Sequence, residues 1–316
     1  MTAADLARRP TADPLQRLLA HGFAAAYGRP PETVWRAPYA FHLGAHAVPR
    51  SPALTGIVPG TDWVAAADRH TGAAVAPRTD GMLRCGSLNH PAESAALPLL
   101  GPAARAPGWA ARPYAALRAL AAAGVGRGGA DLQVNAALPD EAGLPVAEPL
   151  ECAAALAVAD LHAHRGGAPV PRARLARLLG AAVPGDDALR RAVLFARAGH
   201  LLAVDGGTHR PLRGDRSGAD PGLLLLTLRA PAGPPPHPDT AAGGVATALA
   251  LSEALRAGAW SAWWPARRPG RGLLLLMPRE RRAAVRAAVA DAFTRAALPV
   301  PRCVRIAAGD AAHREH

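Results

Sequence analysis

Gly124-Val125-Gly126-Arg127-Gly128-Gly129 fits the G-x-G-x-x-G pattern, in which backbone N–H groups approach a pyrophosphate closely. That use needs a strand before the glycines and a helix after them. Here the periodicity puts a helix before and a strand after, so a turn is expected. Asp205-Gly206-Gly207-Thr208 has the make-up of a phosphate-binding turn. It lies between two strand-like runs, and a hairpin accounts for it without a ligand. Asp160, His162 and His164 are metal-ligating types. Side chains two apart on a helix diverge, so a solvated helix end is expected instead. Trp260, Trp263 and Trp264 could present aromatic faces to a ligand, but packing against neighbouring strands is the simpler expectation.

The elements that must carry these residues follow from hydrophobic period. Residues 13–27 place Leu15, Leu18, Leu19 and Phe23 at helical spacing, ended by Gly28 and Pro30. Residues 34–42 predict a strand, and 62–86 predict strands around a turn at Asp80-Gly81. Residues 114–123 predict a helix stopping at Gly124, and 132–136 a strand. Residues 150–162 predict a helix with Leu150, Ala154, Val158 and Leu161 on one face. Helices are expected at 171–180, 186–198 and 244–257, with a hairpin about Gly206-Gly207 and a buried strand at 223–228. Residues 272–306 have strand–helix–strand order. The fold class is therefore α+β, without an internal repeat.

Half of the 316 residues are apolar, enough for a sizeable core. The net charge of +12 suggests a polyanion partner. Against that, all 36 basic residues are arginine and they are scattered, the mark of a GC-rich coding bias, so nucleic acid is not expected as a partner. Cys85, Cys152 and Cys303 form no disulfide framework or metal cluster, which fits a reducing cytoplasm. No apolar run reaches signal-peptide or membrane-spanning length, so no membrane partner is expected.

Two longer segments carry a family likeness. Residues 24–46, AAAYGRPPETVWRAPYAFHLGAH, and 129–156, GADLQVNAALPDEAGLPVAEPLECAAAL, resemble signature segments of galactokinases, in the GHMP sugar and metabolite kinase family. VPGDDALRRAVLFARAGHLLAVD resembles the family's segment bearing the catalytic aspartate, and GLLLLMPRERRAAVRAAVADAF the strand and helix after its last glycine-rich motif. The segments keep family order from about residue 13 to 307, in a chain shorter than usual. The resemblance implies two domains, 1–205 and 206–316, with sugar, ATP and Mg2+ held in the cleft between them. It implies phosphorylation of galactose at its anomeric hydroxyl.

Carried over residue by residue, the resemblance implies a chemically altered member. The arginine that steadies the transferring phosphoryl group corresponds to Ala40, and the catalytic aspartate to Leu189. The sugar-binding positions correspond to Ala45, about Val48, and the retained His46. The phosphate loop corresponds to 139–149, where Gly143 and Leu144 remain, Pro145 and Pro149 remove N–H donors, and no serine is left. Asp140, Glu141 and Glu148 place carboxylates there, which either cap the helix start or recruit magnesium. The last glycine motif corresponds to 261–272, retaining Gly270 and Gly272 beside Trp263 and Trp264. Two expectations follow. One is a homologue that has lost transfer and serves as a sugar- or nucleotide-binding or regulatory protein, with an unknown protein partner, or survives as a relic. The other is a working kinase using Asp186 or Asp187 as base and Arg267, Arg268 or Arg271 as charge clamp. An open cleft with a converging carboxylate and arginine would favour the second; a cleft filled by Trp263, Trp264 or Pro145 would favour the first.

Overall fold

The computed structural model describes residues 13–44, 61–139, 142–212, 220–229, 241–267 and 270–315. Helix α1 (Pro14–Tyr27) is capped by the Asp13 carboxylate, which accepts from Leu15 N–H at 2.8 Å, and is stopped by Gly28 in the left-handed region. There follow β1 (Thr33–His42), β2 (Trp63–Pro77), β3 (Met82–Ser87), β4 (Ala95–Pro98), α2 (Ala111–Ala122), β5 (Gly129–Ala136), α3 (Ala147–His164), α4 (Arg172–Ala182) and α5 (Asp187–Phe195). The remainder is β6 (His200–Ala203), β7 (His209–Pro211), β8 (Pro221–Thr227), α6 (Ala241–Arg256), β9 (Ser261–Trp263), β10 (Gly272–Pro278), α7 (Arg282–Arg295), β11 (Arg302–Ile306) and β12 (His313–Arg314).

The first sheet has strand order β12-β1-β2-β5-β3-β4, with β6 beside the start of β2 and β7 beside β6. The second is β11-β8-β10-β9, antiparallel throughout. Both sheets obey the period of two. Leu224, Leu226, Leu273, Leu275 and Met277 face α6 and α7, meeting Val285, Val289 and Phe293. Leu223, Leu225, Leu274 and Leu276 face the other way, toward the first sheet.

One irregularity decides what the first sheet presents. Pro38 pairs with His70 but Ala40 pairs with Ala66, so β2 carries extra residues against β1. Such a bulge reverses the alternation. Ala37 and Ala40 face the helices, whereas Tyr39 and Phe41 face the second sheet. One stretch of β1 thereby supplies two cores.

Several expectations need correction. The strands expected around Asp80-Gly81 are present as β2 and β3, which do not pair with each other because β5 lies between them. The Gly206-Gly207 hairpin is wider than two residues, since Ala203 N–H bonds to Thr208 C=O across it. α3 is buried on nearly every side because sheet and helices surround it, so it has no single apolar stripe. Leu15 and Leu18 of α1 are exposed while Leu19 and Phe23 are buried. Strands β4, β9 and β12 are too short to leave a periodic signal. The glycine run at 124–129 is a turn between α2 and β5, as expected.

Strand β12 returns to pair with β1, bringing His313 near His70 of β2 and beside Arg36. Burial, then the charges of Arg36 and His313, lowers the His70 pKa to about 4, while Asp13 and Asp68 act weakly the other way. The unfolded chain, with an ordinary histidine near 6.5, therefore binds this proton more readily. Stability is fully present above pH about 6.5 and is lost as pH falls toward 4, by roughly 2–3 kcal/mol. Urea unfolding at stepped pH should show this slope, and His70→Gln should flatten it.

Candidate functional site

His42 ends β1 with its imidazole almost wholly buried. Its Nε2 lies 2.7 Å from Asp186 Oδ2 and its Nδ1 3.4 Å from Asp62 Oδ1. Asp186 is the N-cap of α5, where its other oxygen accepts from Ala188 N–H at 2.9 Å. Arg267, in the loop after β9, places Nε 3.2 Å from Asp186 Oδ2 and pairs through Nη2 with Asp62. Four ionisable groups from four segments thus meet at the end of β1.

Burial alone would raise the Asp186 carboxyl. The His42 hydrogen bond and charge, the Leu189 N–H and Arg267 outweigh it and hold the carboxyl well below the usual carboxylate range. A general base works best with a pKa near the working pH. As held here, Asp186 is an anion already committed to its partners.

The space beside this cluster is packed with the chain's own side chains. Trp263 is 2 % exposed, and its Nε1–H donates to His42 C=O at 2.7 Å. Gly44 lies against it so closely that a Cβ there would fall 2.6 Å from Trp263 Cβ. Tyr39, Phe41, Trp63, Leu144, Leu223, Leu276 and Trp263 share one apolar cluster between the sheets. Further along, Gly143, with φ of 90°, and Gly272 touch through their backbones, so a Cβ on Gly143 would overlap Gly272 N and Cα. Thr227 Oγ1 donates to Ala142 C=O at 2.8 Å and fastens the same contact.

The remaining sequence candidates fall as follows. Ala40 and Leu189 are both buried in the core between sheet and helices. Asp187 is exposed and paired with Arg190, so of the two candidate bases it is Asp186 that meets the candidate clamp Arg267. Arg271 and Gly270 are exposed. Glu148 is buried and does not cap its own helix; it accepts from Arg112 at 3.0 Å and from Asp186 N–H at 3.1 Å. Ala45, His46, Val48, Asp140, Glu141 and Arg268 lie outside the described residues. Asp160 and His164 meet at 3.3 Å, but Asp160 is occupied by Thr33, Trp35 and Arg314. Among the described residues no group of three or more His, Cys, Asp or Glu is arranged to hold a metal ion.

Sequence reasoning missed Asp62 and the role of His42. No motif marks either, because only the β2 bulge and the α5 cap bring them together. It also missed the buried network beneath them, in which Glu151 accepts from Arg112 Nε at 2.7 Å and from Arg190 Nε.

Galactokinase from Lactococcus lactis superposes with a TM-score of 0.69 at 14% identity, over 95% of this chain and 99% of that one. The fold is that of the GHMP kinases. A heptose 1-phosphate kinase from Bacteriodes thetaiotaomicron gives 0.57 at 13% identity, over 90% and 99% of the two chains. Mevalonate kinase from Methanococcus jannaschii gives 0.54 at 9% identity, over 88% and 98%. No protein-family model matches the chain. No curated protein matches it by sequence. Likeness at these identities establishes the GHMP-kinase fold. Among the described residues no helix is long and apolar enough to cross a membrane.

Proposed function

We propose that this chain is a galactokinase-like member of the GHMP kinase fold that no longer transfers phosphate and serves as a sugar-binding or regulatory protein. The observation that carries the reading is Trp263, buried between the two sheets and hydrogen-bonded to His42 C=O. A triphosphate needs free N–H donors at a glycine loop and a helix start, with a magnesium ion to neutralise it. The residues present do not fit that group. Gly143 is closed against Gly272, Pro145 lacks a donor, and Glu148 stands buried at the helix start with its charge answered by Arg112.

A second reading has one observation in its favour: Asp186 and Arg267 do converge, 3.2 Å apart. It keeps the chain as a sugar kinase with Asp186 as base and Arg267 as clamp. Against it stands the depressed Asp186 carboxyl, which leaves little proton affinity for taking up a hydroxyl proton.

Galactose-dependent ADP release from magnesium ATP, with mass spectrometry for a sugar phosphate, separates the two. No turnover is expected from folded protein. Sustained turnover, abolished by Asp186→Asn, would overturn the first reading and establish the second.

A further inference from the structure

Trp263 and Arg267 lie on one short stretch, and each fastens that stretch to the first sheet. The inner tie is backbone-centred. Trp263 Nε1–H donates to His42 C=O at 2.7 Å, and His42 N–H donates to Pro265 C=O at 2.8 Å. The outer tie is ionic. Arg267 bridges Asp62, ahead of β2, and Asp186, at the start of α5. The two ties differ in kind. The Trp263 ring is fully buried, whereas the Arg267 side chain is 59 % exposed. Exposed ion pairs are weak and screened by salt, and buried indole hydrogen bonds are neither.

We infer that residues 263–267 form a latch: a buried pin, Trp263, and a solvent-facing clasp, Arg267, which together hold the second sheet shut over the His42–Asp186 cluster. Releasing the clasp frees the segment at one end, and the pin then withdraws with β9, the edge strand of its sheet. The burial of the Trp263 ring resists that withdrawal, and the backbone of β9 opposes it little. β9 is three residues long and, among the described residues, pairs with β10 alone, so few hydrogen bonds oppose it. The His42 side chain stays behind, because it is carried by β1 and held by Asp186. The latch rests on these contacts alone and stands whether or not the chain transfers phosphate.

The amide of His42 reports directly on the closed state, since it donates to Pro265 C=O on the latch itself. Its exchange with solvent deuterium, followed by NMR with the Trp263 indole N–H, tests the latch. Arg267→Ala is expected to speed both by roughly 1.5- to fivefold, the range for loss of an exposed ion pair. Raising salt from about 0.1 M to about 1 M, which shortens the screening length from about 10 Å to about 3 Å, should do the same to the natural protein. It should not do so to Arg267→Ala. Asp62→Asn should act in the same direction, and Arg267→Lys, which keeps the charge, should stay nearer the natural rate. Amides inside α3 serve as the control and should not change. Unaltered His42 exchange in Arg267→Ala, or an equal acceleration in α3, would overturn the latch, the second by reducing the effect to general loss of stability. Neither outcome bears on the ADP-release result.

Discussion

Replacing Glu151 with alanine is expected to lower the unfolding free energy by about 3 kcal/mol, because it strips two buried guanidinium N–H groups of their acceptor and leaves Arg190 paired with the exposed Asp187 in place of a buried carboxylate. Glu151 is wholly buried on α3, and Arg190 of α5 is 2 % exposed. Arg190 Nε meets one Glu151 oxygen, and Arg112 Nε meets the other at 2.7 Å. Arg190 also donates to Val183 C=O at 2.6 Å and Pro184 C=O at 3.2 Å, just ahead of the residue that supplies the α5 cap. Burial pushes the Glu151 carboxyl up, and the two guanidiniums offset only part of that rise. Burial likewise lowers Arg112 and Arg190, but the bonds to Glu151 outweigh it and both stay charged. Urea unfolding at constant pH measures the loss. Glu151→Gln keeps an acceptor and should fall between the natural protein and the alanine variant. Replacing Glu151 and Arg190 together by leucine should be milder than Glu151→Ala, since it removes the buried guanidinium along with the acceptor it has lost. A loss below about 1 kcal/mol for Glu151→Ala would mean that water reaches Arg190 and that the network contributes little.

The parts of the fold visible in the sequence are those whose pattern has a single cause. The leucine runs of β8 and β10 face a core on both sides, so nearly every residue is apolar, and α7 shows Val285, Val289 and Phe293 on one face. Segments shaped by tertiary partners were less legible. Nothing local announces that α3 lies between a sheet and other helices, or that Trp263 belongs to a strand three residues long. The site divides in the same way. Asp186 and Arg267 stand in the sequence as a candidate carboxylate and arginine, and they converge. His42 and Asp62 were not, since their meeting depends on the bulged register of β2 and on a loop contact rather than on spacing. Glu148 was read as a cap or a metal ligand from its place at a helix start. Arg112, from a helix 36 residues earlier, determines its role instead.

Restoring the two residues that the family likeness places at the transfer step, by Ala40→Arg with Leu189→Asp, is expected to give no ADP release and a less stable protein. Ala40 is two residues before His42 on the same strand, and Leu189 is about one helical turn after Asp186. The polar pair of this chain therefore stands one strand repeat and one helical turn nearer the surface than the restored pair would. Ala40 and Leu189 themselves lie in the apolar core with Val64, Leu150 and Val193. Leu189→Asp alone forfeits a buried leucine, about 2–5 kcal/mol, and adds a carboxylate with no partner. Ala40→Arg alone must force a long cation into a fully packed position. Combined, the two charges can meet, so the double variant should be less destabilised than the sum of the singles by about 1–3 kcal/mol. Urea unfolding of all four proteins gives that coupling directly. A favourable coupling without turnover would show the restored pair to be geometrically sound and the loss to lie at the closed Gly143–Gly272 contact, where the phosphates would have to enter. Strong turnover from the double variant would show the reverse: that contact opens for nucleotide, and two core substitutions alone stand between this fold and transfer.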